Sequence, residues 1–84
     1  GLVNRVVPHD DLLPTAREWA RRLADGPTQA IGMTKRMLLH EQHMDLDAAL
    51  EAEAQAQALM LMAEDHRLFY EAFKAKTEPK FVGR

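Results

Sequence analysis

Residues 2–7, Leu-Val-Asn-Arg-Val-Val, are the one stretch with the β-branched, apolar character of a strand, and Pro8 closes it. A lone strand leaves N–H and C=O groups unpaired along both edges, so a helix, another chain or solvent must cover them. No second strand pattern follows. The chain therefore reads as mostly α: a short N-terminal extended segment followed by three to four helices, with something missing beside the first residues.

The rest divides at its prolines, glycines and capping acids. Asp10 or Asp11 can cap a helix in which Leu12, Leu13, Ala16, Trp19, Ala20 and Leu23 recur at three- and four-residue steps, and Asp25-Gly26-Pro27 stops it. Pro14 is tolerable there if it lies in the first turn, where a missing N–H costs least. Pro27 suits the start of a second helix carrying Ala30, Ile31, Met33, Thr34, Met37 and Leu38 toward His43. The short connection predicts a hairpin of these two helices. Asp45 caps a third helix over about residues 46–63, with Leu46, Leu50, Ala54, Leu61 and Met62 on one stripe and small alanines between them that let helix axes approach. Asp65 can cap a fourth over about residues 66–76, in which Leu68, Phe69, Ala72, Phe73 and Lys76 share one broad face before Pro79 ends it.

At 84 residues the chain makes at most one small domain, expected to bury about 60–65% of the surface its unfolded form exposes. Much of its 46% hydrophobic content is alanine and only 6% is aromatic, so a partner surface would help. A net charge of −2 gives no general attraction to nucleic acid or to anionic membranes. Absent cysteines exclude a disulfide framework and a thiolate zinc site, which suits a reducing, cytoplasmic setting. No apolar run approaches a membrane span, and Gly1–Asp11 lacks the pattern of a secretory signal.

Recognisable chemistry is sparse. His40-Glu41-Gln42-His43 places its histidines three apart, where a metalloprotease helix needs four, and offers no third ligand beyond His66 or an acid of unknown position, so it reads as a solvated helix end. There is no serine, and Thr15, Thr28, Thr34, Thr77 and Tyr70 lie in no glycine elbow. The scattered glycines form no phosphate loop, and Glu51 and Glu53 face different ways on a helix. The five methionines, Met33, Met37, Met44, Met60 and Met62, read as adaptable core or interface filler. No catalytic residue and no metal ligand is assigned. Residues 70–84 stand out, with Lys74, Lys76, Lys80 and Arg84 against Glu71 and Glu78. Phe73 and Lys76 are three apart, so a helix would turn ring and ammonium to one side. A lysine snorkelling over a core phenylalanine fits this spacing, and so does a site for an anionic ligand with a planar or greasy part.

The order Gly1-Leu2-Val3, then Gly26-Pro27 followed by Thr34-Lys35-Arg36, then an acidic Ala-rich helix, then Ala72-Phe73 with Lys76, Pro79 and Phe81, resembles the carboxyl-terminal part of the enoyl-CoA hydratase/isomerase (crotonase) superfamily over essentially the whole chain. The resemblance implies a fragment of a larger α/β enzyme, with residues 1–8 as the last strand of a missing core and residues 10–84 as a single helical oligomerisation region. It implies that the catalytic groups lie upstream, that this chain alone is inactive, and that the parent enzyme hydrates or isomerises enoyl-CoA in fatty-acid metabolism as a trimer or hexamer. It further implies that Phe73 and Lys76, which match the family's F-x-x-K ending, lie near coenzyme A, with acyl-CoA as substrate and no tightly bound cofactor. Two departures stand in the last helix: Leu68 and Phe69 replace a glutamate and a glycine common in the family, leaving Asp65 without a capping-box partner, and Lys76-Thr77 replaces a Lys-Arg pair. A free-standing helical adaptor that binds a protein through its Met- and Ala-rich faces is the rival expectation.

Overall fold

The computed structural model describes residues 1–84. Residues 1–8 form neither helix nor strand, and residues 1–7 make no backbone hydrogen bond. Their β-type sequence has no neighbouring edge to pair with, which is what a strand requires. A single 3-10 turn, His9–Asp11, leads into α1 (Leu12–Ala24), and α2 (Thr28–Glu41), α3 (Leu46–Leu61) and α4 (Glu64–Ala75) follow. Pro14 is the third residue of α1, where its absent N–H leaves no bond unmade. The α1–α2 turn closes with Asp25 N–H donating to Arg21 O at 2.8 Å and Gly26 N–H to Leu23 O at 3.3 Å. A Cβ on Gly26 would lie 3.2 Å from Ile31 Cδ1, so the turn packs directly on the first turn of α2.

Asp45 caps α3 as its sequence suggests, its Oδ1 accepting from Ala48 N–H at 2.9 Å. The start of α4 differs from expectation. Asp65 lies inside the first turn, Ala63 is the capping residue, and no side chain caps the helix. The Asp65 carboxylate is engaged elsewhere, by the C-terminal tail. The far end of α4 also stops one residue early, at Ala75.

The helices touch in series, α1 on α2, α2 on α3 and α3 on α4. Only three residues are buried, Ala56, Ala72 and Asp65. The expected burial is not reached: the accessible surface is 7410 Å², against about 5,000 Å² for a compact protein of this mass, and roughly 46% of the unfolded surface is removed from water. The radius of gyration is 16.3 Å, where about 12 Å is typical of this length. The molecule is a slab of 45 × 39 × 19 Å. The reason lies in composition. Alanine contacts bring helices close but remove little area, and the large side chains of the expected α3 stripe, Leu46, Leu50, Leu61 and Met62, remain exposed. α3 carries apolar residues around much of its circumference, as Leu46, Leu50, Ala56, Leu59 and Leu61 illustrate, a pattern suited to a helix enclosed by a larger protein.

Where α2 meets α3, two carboxyls face each other. Glu41 is held above its ordinary value of 4.5, first by a hydrogen bond with the Glu53 carboxyl, then by desolvation, then by the Glu53 charge. Glu41 Oε1 is buried without a donor when both groups are ionised, and one shared proton would satisfy it. Because the folded form holds this proton more tightly than the unfolded form, the α2–α3 contact is favoured at acidic pH and weakened as pH rises from 4.5 through the raised value. Glu53→Gln supplies a permanent donor, so thermal unfolding should show a higher Tm at neutral pH and a smaller rise on mild acidification. An unchanged pH slope would contradict the pairing.

Candidate functional site

The end of α4 places the two residues singled out by their spacing, though not as a helical pair. Phe73 lies within the helix and is 71% exposed, so it is no core phenylalanine for a lysine to cover. Lys76 lies beyond the last helical residue with φ 55° and ψ 40°, the left-handed region. The three-residue helical offset therefore no longer directs the ammonium to the Phe73 face. Lys76 N–H donates to Phe73 O at 3.2 Å and Thr77 N–H to Ala72 O at 3.0 Å, the pair of bonds that closes a helix on a left-handed residue. Glycine is the usual occupant of such a position because a Cβ is disfavoured there, and Lys76 is the only non-glycine residue of this chain with positive φ.

Other side chains organise the helix. The Phe69 and Phe73 rings stack with centroids 6.2 Å apart and planes inclined by 26°. Lys74 Nζ lies 5.3 Å from the centre of the Tyr70 ring, a cation–π contact on the exposed side. Arg67 bridges Glu71 at 2.7 Å and Glu64 at 3.5 Å along the surface, a geometry that raises its pKa and contributes little to stability.

After Lys76 the chain turns back along α4, and its end is fastened by Asp65. Asp65 Oδ1 accepts from Val82 N–H at 2.6 Å and Oδ2 from Gly83 N–H at 3.0 Å, while Asp65 N–H donates to Arg84 O at 2.9 Å. The returning tail puts Phe81 over an apolar hollow of about 190 Å³ lined also by Pro27, Ala30, Met60, Leu61 and Phe69. Phe73 and Lys76 do not line this hollow. The sequence pattern marks Asp65 only as a cap, a role it does not take. The signal the pattern lacks is tertiary, since the amides Asp65 receives are 17 and 18 residues away.

The remaining candidates stay apart. His40 and Glu41 close α2 and His43 lies in the turn beyond it, and no group of three His, Asp or Glu residues is placed to hold a metal ion. Glu51 accepts from Gln55 Nε2 at 3.3 Å on the surface of α3. Met60 lines the hollow, Met33 and Met37 are half-buried, and Met62 is exposed, so the methionines form no single groove. No helix is long and apolar enough to cross a membrane.

The arrangement of four helices and a folded-back tail is one that larger proteins share. The family model for enoyl-CoA hydratase/isomerase matches residues 1–84, the full length of the chain. The chain belongs to the enoyl-CoA hydratase/isomerase family. Among relatives of this family, the 1,2-epoxyphenylacetyl-CoA isomerase of Escherichia coli K12 is 34% identical over all 84 residues, which cover 32% of that protein. The crotonyl-CoA hydratase of Syntrophomonas wolfei is 30% identical over the same length, again 32% of the protein. A crystal structure of a proposed enoyl-CoA hydratase/isomerase from Mycobacterium abscessus superposes with a TM-score of 0.97 at 42% identity, covering all of this chain and 32% of that one. The chain thus spans about a third of the length of the family members it matches. In the solved relative from Mycobacterium abscessus, the matching segment is part of a longer chain.

The helix end yields one test of its own. Replacing Lys76 with glycine removes the left-handed strain at the cost of unfolded-state freedom, and should stabilise the protein by about 1 kcal/mol. Lys76→Ala keeps a Cβ and should leave Tm within experimental error. Equal Tm values for both variants would show that the left-handed conformation carries no strain.

Proposed function

We propose that this chain is the helical, oligomerising and coenzyme A-contacting region of an enoyl-CoA hydratase/isomerase family enzyme. The observation that carries the reading is the large apolar surface of a chain that matches the family throughout yet spans about a third of its relatives. On this reading residues 1–8 are the last strand of the α/β core and find their hydrogen-bonding edge there. Residues 10–84 are the helical region, and their exposed leucines face the core or neighbouring subunits. The oxyanion-stabilising and acid/base groups lie in the rest of the enzyme, so the segment alone is inactive. The enzyme acts on acyl-CoA in the cytoplasm, with no tightly bound cofactor. The exposed faces suit an adaptor too, and the match over residues 1–84 favours the family reading.

Phe73 and Lys76 are the proposed contacts to coenzyme A. What supports them is chemistry: an exposed ring that adenine or the pantetheine arm could pack against, and a lysine held in a conformation where glycine would sit more easily. An ammonium offers phosphate a mobile point charge and a charge-assisted hydrogen bond. In the full-length enzyme Lys76→Ala should raise the KM for acyl-CoA by about tenfold at low ionic strength and by less at high salt. An unchanged KM under both conditions would remove Lys76 from the site. The segment expressed alone should show no hydratase or isomerase activity and should self-associate in sedimentation experiments. A well-folded monomer at high concentration would contradict the proposed role of its apolar faces.

A further inference from the structure

The tail that follows Lys76 is short for the distance it covers. Asp65 and Lys76 are separated by roughly 16 Å of helix at the usual rise per residue. The six residues that follow Lys76, 77–82, reach at most about 20–22 Å when extended. The tail also runs beside the helix and not along its axis, so little slack is left. Pro79, with its fixed φ, stiffens the middle of the span.

The far end of this span is locked. Asp65 is 4% exposed, and each of its carboxylate oxygens accepts one tail amide, while its own N–H holds Arg84 O. Gly83 has φ 77°, and a Cβ there would lie 2.8 Å from Thr28 Oγ1, so the fastened end is also pressed against the start of α2. The Arg84–Glu64 bridge at 2.9 Å is largely solvent-exposed and adds little hold. The result is a closed loop: helix, left-handed lysine, taut tail, buried carboxylate. A lysine stays in the left-handed region where its surroundings hold it there, and the tail leaves the helix at this residue.

We propose that Asp65 is a positioning residue for Lys76, clasping Val82 and Gly83 so that the taut tail keeps Lys76 in the left-handed conformation that presents its ammonium to the ligand. This rests on the reading of Lys76 as a contact to a coenzyme A phosphate. Asp65 itself touches no ligand. Its carboxylate faces the tail amides, and the charged groups around the clasp are Glu64 and Arg84.

The test uses the full-length enzyme with Asp65→Asn, Gly83→Ala, Lys76→Ala and the double variant Asp65→Asn/Lys76→Ala. Gly83→Ala loosens the tail without altering the carboxylate, which covers the case in which Asp65→Asn fails to fold. Asp65→Asn and Gly83→Ala should each speed hydrogen exchange at the Val82 and Gly83 amides and raise the KM for acyl-CoA by about threefold with kcat nearly unchanged. The double variant should show the KM of Lys76→Ala alone, because a residue that acts only through Lys76 has nothing left to position. Multiplying effects in the double variant, or an unchanged KM despite faster tail exchange, would overturn the proposal. Unchanged exchange in Asp65→Asn would overturn the clasp itself. If Lys76→Ala leaves KM unaltered, the coenzyme A reading fails, and the exchange data still decide separately whether Asp65 holds the tail.

Discussion

Helices that meet through alanine come close together but remove little water-accessible surface, and Ala56 and Ala72 are the apolar residues this chain buries. The rest of the structure follows from that limit. Leu46, Leu50 and Leu59 on α3, Leu12 and Leu23 on α1, and Leu38 and Leu39 on α2 all face outward. A stack of helices touching only in series, α1 to α2 to α3 to α4, is a slab and not a core. Such a slab is a reasonable element of a larger protein and a poor domain by itself, since burial of apolar area is the dominant favourable term in folding.

The last helix is held differently. It contacts α3 alone among the helices, and the tail links it to α2 through Phe81 over the hollow and Gly83 against Thr28. One carboxylate, Asp65, gathers this return segment through backbone amides, an arrangement in which each buried acceptor has its donor. The loop so closed carries the only strained non-glycine residue, Lys76, at its turn. Strain of this kind persists where the surrounding structure over-determines it, and here the residue sits between a helix and a fastened tail.

Most of the element order was legible in the sequence. Asp25-Gly26-Pro27 separates α1 from α2, and Asp45 caps α3, because local turn and cap chemistry decides both. The family resemblance rested on pieces such as Gly26-Pro27 and Ala72-Phe73, and the match over residues 1–84 agrees with it. Local rules failed where distant residues compete. Asp65 looks like a cap to any pattern that stops at its own helix, and tail amides take its oxygens instead. Phe73 and Lys76 look like a helical pair until the helix is seen to end at Ala75, with Lys76 left-handed beyond it. Burial departs from expectation for a different reason. A hydrophobic fraction counts alanine and leucine alike, whereas area depends on which of them the helices turn inward.

The central claim is that these helices are completed by the remainder of a larger enzyme. Hydrogen–deuterium exchange across α3, Leu46–Leu61, compared between the full-length enzyme and the isolated 84-residue segment, tests it most directly. The account predicts strong protection of the α3 amides in the full-length protein and rapid exchange in the isolated segment at low concentration. Equal protection in both would show that the segment stabilises itself, and would contradict it.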